Sequence, residues 1–177
     1  MRPSSESPSL PDTAVVAAQL GRRPRSLRGI ASRCPCELPA VIETSPRLDD
    51  GTPFPTLYYL TCPKAVAAVS RLEADGVMRQ MTRRLAGDAS LSTAYCAAHR
   101  DYLARRERVT REAGVRPLPP GTQSAGGMPE RVKCLHALVA HELAAPGVNP
   151  FGADALGAIG AWWADGPCVP AASAETP

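Results

Sequence analysis

The sequence predicts an α+β fold, with a small N-terminal antiparallel sheet of three strands followed by about five helices packed on it. Three observations predict it. Stretches rich in β-favouring residues lie in the first third of the chain, joined by short connections. From Pro63 onward the apolar residues recur at helical spacing instead. Glycine and proline punctuate nearly every junction between these stretches.

Taken in order, "MRPSSESPSLP" at residues 1–11 is rich in Pro and Ser and reads as a disordered tail. Asp12 or Thr13 is placed to cap a short helix through "AVVAAQLG", which Gly21 ends. Leu27 to Arg33 and "AVIET" are the first two strands. The turn "LDDGTPFP" leads to "TLYYLT" at residues 56–61, the clearest strand. Pro63 opens a helix that stops at Gly76, with Val66, Val69 and Leu72 as its stripe. "VMRQMTRRLAG" is a second helix. The longest begins near Ser90, with Leu91, Tyr95, Ala98, Tyr102 and Val109 on one face. The Pro/Gly-rich stretch 114–128 is a loop. "PERVKCLHALVAHELAA", opened by Pro129, and "ADALGAIGAWWADG" complete the fold. The domain so defined spans residues 12–169, and 170–177 form a second loose tail.

Hydrophobic residues make up 44% of the 177 and charged residues 21%, proportions typical of soluble globular proteins. The net charge of +3 is too small to imply a nucleic-acid partner. Lys64 and Lys133 are the only lysines, an arginine bias that reads as genome composition. Arginines do concentrate at residues 77–112, where an anion-binding surface competes with the plainer reading of a solvated helix face. No stretch approaches the ~18 apolar residues of a membrane span, and the first residues lack a secretory pattern. The expected location is the cytoplasm, where thiols stay reduced.

In that compartment the six cysteines are read as metal ligands or core residues rather than disulfides. Cys34, Cys36, Cys62, Cys134 and Cys168 fall at predicted element ends or inside a helix that opens after a loop, and four of them adjoin proline, which fixes backbone direction. Cys62 would start a helix, a position that favours its thiolate. Thiolates select zinc, copper(I) or an iron–sulfur cluster over hard cations. No C-x2-C pair is present, so such a site must be assembled by tertiary folding. Buried free cysteine also packs as a small hydrophobe, and both readings stand at this level.

The helical reading of "KCLHALVAH" puts Cys134 and His141 two turns apart, about 10.5 Å of rise, and turns Cys134 and His136 in different directions. On that reading Cys134 is the ligand, while His136 and His141 support the site or bind an anion. Gly126 and Gly127, before a helix start with Arg131 and Lys133 near, could cradle that anion. Cys96 and His99, three apart on the long helix, read as packing residues. No nucleophile elbow is present, and no reaction is written in the chain.

Several phrases together, "RCPC", "DGTPFPTLYYLTCP", "RLEADG", "GGMPERVKCLHALVAH" and "GVNPFG", resemble the bacterial, largely actinobacterial family catalogued as domain of unknown function 501. The resemblance runs from about Val15 to Val169. Glu37 stands where the family resemblance implies glycine, and "AAPGVNP" is one glycine shorter than its form. No activity comes with the resemblance. It implies, from R-C-P, T-C-P, K-C-L-H and G-P-C, a four-thiolate set of Cys34, Cys62, Cys134 and Cys168, with Cys36 a neighbour or alternate. Its gene neighbourhood, near a septum-formation protein and an exopolyphosphatase, points to division or polyphosphate by association.

Three functions follow as expectations. The first is a metal-binding adaptor or sensor holding zinc or an iron–sulfur cluster. The second is an enzyme or binding protein for a phosphorylated or polyanionic ligand. The third is a metal-free module that meets a protein partner through the arginine-rich helix.

Overall fold

The structure is a computed structural model that describes residues 5–170. The elements run α1 (Leu10–Leu20), β1 (Leu27–Arg33), β2 (Pro39–Thr44), β3 (Tyr58–Leu60), α2 (Pro63–Ala74), α3 (Val77–Gly87), α4 (Ala89–Glu112), α5 (Leu135–Ala144) and α6 (Pro150–Ile159). The strands form one antiparallel meander in the order β1-β2-β3. The chain is α+β, as its pattern predicts.

All six residues of the central strand β2 are buried, because helices cover both faces of the sheet. Ile30 and Ile42 pack with Val16 of α1 on one face. Val41, Tyr58 and Leu60 belong to the main core on the other, with Leu135, Leu138 and Val139 of α5. One helix thus lies on the face opposite the other five.

The N-terminal residues that are described belong to this architecture. Glu6 pairs with Ile30 through two backbone hydrogen bonds, and Ser5 bonds Glu43. Ser9, not Asp12 or Thr13, caps α1, and Asp12 closes the capping box from the third helical position. Residues 5–11 of the tail expected at 1–11 make these contacts, while residues 1–4 and 171–177 lie outside the described residues. Asp12 also binds Arg33 at 2.8 Å, tying α1 to β1.

The largest departure from the sequence pattern is the start of α5. Residues 129–134 are not helical, since the loop claims their amides. Lys133 donates to the Gly126 carbonyl at 2.7 Å, Arg131 to Gly127, and Val132 to the Thr82 hydroxyl. Gly126 and Gly127 both adopt positive φ, and a Cβ on Gly127 would strike the Arg131 carbonyl. The helix begins only at Leu135, with Cys134 as its extended cap residue.

The arginine-rich helix α4 is largely committed to the fold. Arg105 pairs with Asp101, Arg108 with Glu112 and Arg111 with Glu107. Arg106 is buried and donates to the carbonyls of Pro55, Thr122 and Gln123. Arg47 does the same for Gly51, Arg116 and Pro117. These two guanidiniums hold the proline-rich loops on the body of the protein.

Two predictions follow from these ties. Arg106→Lys removes the fork that reaches three carbonyls and should cost about 2–3 kcal/mol in denaturant unfolding. Asp12 is held down at about 2, first by the hydrogen bonds from Arg33, against a burial that opposes them. Its contribution is present above the unfolded carboxyl value near 3.8 and is lost as pH falls through 2. Asp12→Asn should therefore cost about 1–2 kcal/mol at neutral pH, a difference that shrinks steadily in melts taken from pH 4 down to pH 2.

Candidate metal centre

Four of the six cysteines meet where the β1–β2 turn, the start of α2 and the segment after α6 come together. Cys34 ends the strand, with its amide on the Leu38 carbonyl and its carbonyl accepting from the Glu37 amide, both at 2.8 Å. This tight turn swings Cys36 back toward the same side. Cys62 is the cap residue of α2, with Pro63 at its first position. Cys168 arrives from the C-terminal segment, which Lys64 anchors through the Gly166 carbonyl at 2.8 Å.

One pair of these thiols is in hydrogen-bond contact: Cys36 Sγ donates to Cys168 Sγ at 3.8 Å. Burial, with Cys36 and Cys168 nearby, pushes the Cys34 thiol up. The neighbouring Cys62 raises Cys168, and Cys168 in turn lowers Cys62. The amides of Lys64 and Ala65, at the N-terminus of α2, further favour charge on Cys62. The Gln19 side-chain amide donates to Cys168 at 3.4 Å and to the Pro39 carbonyl at 2.7 Å, closing the cluster from α1. All six cysteines are free thiols.

Cys134 is not in this group. Its neighbours are Glu73 and His136, and among the described residues these three form the one set whose donor atoms all lie within 4.8 Å of one another. Glu73 lies near the far end of α2, about 16 Å of helix rise from Cys62. The four thiols therefore comprise Cys36 where the family resemblance implies Cys134. Sequence reasoning also turned Cys134 and His136 apart, on the premise that both were helical. Because Cys134 precedes the helix in an extended conformation, its sulfur folds back over the first turn to His136. The hydrogen bond between them lowers Cys134 and raises His136 to about 9. Glu73, which no motif marked, caps α5 by accepting from the Leu135 amide at 2.7 Å.

Of the anion-site residues, Gly126, Gly127, Arg131 and Lys133 share one turn, whereas the two histidines lie elsewhere. His141 is fully buried. Its Nε2 meets Asp101 at 3.0 Å and its Nδ1 meets Asn149 at 3.3 Å, while its ring packs against both Tyr58 and Tyr102. Gly127 and Arg131 line a cavity of about 670 Å³ with His99 and Arg106. His136 lines a different groove, and Lys133 lies beside the Gly127 turn. His99 bonds Ser124 at 2.8 Å and, with Cys96, belongs to no metal-donor group among the described residues.

Residues 30–156 match the family model described as a protein of unknown function (DUF501). The chain belongs to this family. No curated protein and no solved structure gives a significant match. Among the described residues of this DUF501 member, no helix is long and apolar enough to cross a membrane.

The glycine that the family resemblance implies at position 37 has a physical basis here. Glu37 has φ +68°, the left-handed region that costs an L-residue about 1–2 kcal/mol. Its carbonyl, which accepts from Arg33, is retained on substitution. Glu37→Gly should therefore leave the cysteine turn intact and raise Tm by roughly 2–4 °C in a calorimetric melt.

Proposed function

We propose that this DUF501 protein is a metal-binding protein in which Cys34, Cys36, Cys62 and Cys168 hold one zinc ion in a closed, structural site. The observation that carries the reading is the convergence of four free thiols from three distant parts of the chain, with Cys36 and Cys168 at 3.8 Å. That spacing is far beyond a disulfide bond. It equals the edge of a tetrahedron of sulfurs about 2.3 Å from a central zinc, which is about 3.8 Å. Among the described residues no three of these sulfurs all lie within 4.8 Å of one another, so an ion at their centre would have to draw the set closed.

A closed four-thiolate site leaves no position for substrate, so its role is to staple the C-terminal segment to α2 and the sheet. The protein then acts as a cytoplasmic adaptor whose partner-binding surface depends on that staple. An iron–sulfur cluster in the same thiols would instead make it a sensor or electron carrier. The polyanion reading has less support, because His141 is buried and His136 lines a different groove from the turn that carries Gly127, Arg131 and Lys133.

Metal analysis of untagged protein purified without oxygen tests this. Zinc lost on the paired substitution Cys36→Ser with Cys168→Ser, with no visible absorption band, is the expected result. Chelation should lower Tm by roughly 10 °C, the equivalent of about 4 kcal/mol from an ion present at a thousandfold excess over its Kd. Iron with labile sulfide would reassign the site as a cluster. A well-folded protein whose metal content does not change in the paired variant would overturn the reading.

A further inference from the structure

The group at the other end of α2 has the features of a separate metal site. Glu73, Cys134 and His136 each offer one donor atom, all within 4.8 Å of one another. Donors arranged around one zinc at about 2.0–2.3 Å are separated by at most about 4.6 Å. Glu73 Oε1 and His136 Nδ1 are already 3.2 Å apart.

The orientation of His136 is the second observation. Its Nε2 lies 3.2 Å from the Val66 carbonyl, an atom that can only accept a hydrogen bond. The Nε2 nitrogen therefore carries a proton, which leaves Nδ1, turned toward Glu73, as the nitrogen that can give up its proton to a metal. One ring nitrogen held by a backbone carbonyl while the other ligates is how metal-binding histidines are commonly fixed. The Ser70 hydroxyl, 3.1 Å from the same Nε2, adds to this restraint.

The third observation is what the site faces. Cys134 and His136 form part of the wall of an open groove of about 520 Å³. Its other lining is mainly apolar, including Leu20, Tyr59, Pro63, Val66, Ala67 and Ala137. A sulfur, a nitrogen and an oxygen donor together suit zinc, and three protein ligands beside an open position are the pattern of zinc that binds a water or substrate rather than of closed structural zinc.

We propose that Glu73, Cys134 and His136 bind a zinc ion whose fourth position opens into this groove, where it takes an apolar ligand bearing a single metal-binding head group such as a carboxylate or hydroxamate. The site is independent of the four-thiol cluster and holds whether or not that cluster is loaded.

The test uses the full chain dialysed against zinc, with metal content measured for wild type, Cys134→Ser, His136→Asn and Glu73→Gln. Each variant should retain one zinc fewer per chain than wild type. Glu73→Gln keeps an oxygen that can accept from the Leu135 amide, so α5 stays capped if the cysteine variant fails to fold. The paired variant Cys36→Ser with Cys168→Ser should keep this ion, which separates failure here from failure at the thiol cluster. After cobalt(II) replacement, octanohydroxamate should shift the visible cobalt bands of wild type and leave those of Cys134→Ser unchanged. Zinc content equal to wild type in folded Cys134→Ser and Glu73→Gln would overturn the site. Loss of zinc without any cobalt response to the hydroxamate would overturn its open fourth position.

Discussion

The burial of α5 is the constraint around which the fold is arranged. Six of its ten residues are buried, and one of them is His141. An imidazole with no access to water needs partners for both nitrogens, since an unsatisfied buried polar group costs about 1–3 kcal/mol. Asp101 of α4 supplies one and Asn149 before α6 supplies the other. Burial works against the charge on Asp101, but the hydrogen bonds from His141 and Arg105 outweigh it and hold the carboxyl at about 2. Satisfying one side chain thus fixes three helices relative to one another and to Tyr58 of the sheet. The loop back from α5 is held in the same way, by three amides that donate to the Glu142 carboxylate.

With α5 fixed, α2 becomes the ruler between the two cysteine groups. Its N-terminus begins at Cys62 and favours a thiolate there, whereas its C-terminal end presents Glu73 to the first amide of α5. Helix polarity explains the first arrangement. The second is a cap supplied by a neighbouring helix, which satisfies an amide that Cys134 leaves free. The spacing along the helix prevents the two groups from sharing an ion and lets each be perturbed by itself.

The sheet and most helix limits were legible in the chain because they depend on local chemistry. Gly21 ends α1 at φ +66°, Pro63 starts α2, and the β-favouring residues around Val41 and Tyr58 mark the strands. The start of α5 was not legible. Pro129 and the apolar spacing after it imitate a helical first turn, whereas the outcome depends on amides claimed by the Gly126–Gly127 turn. That single error turned Cys134 away from His136. Glu73 was missed for a related reason, because a carboxylate that caps a different helix leaves no mark in its own surroundings. The place of Cys36 depends on a left-handed Glu37, a conformation that residue type alone argues against.

The two buried guanidinium forks change how the composition of the chain should be understood. The chain has nineteen prolines, and each removes an amide donor while leaving a carbonyl that still needs one. Arg47 and Arg106 act as substitute backbone donors, serving six carbonyls between them in and beside the proline-rich loops. A lysine ammonium has three donors on one atom and cannot span carbonyls so far apart. Part of the preference for arginine over lysine is therefore a demand of the loops themselves, so that in this fold proline content and arginine content cannot drift independently.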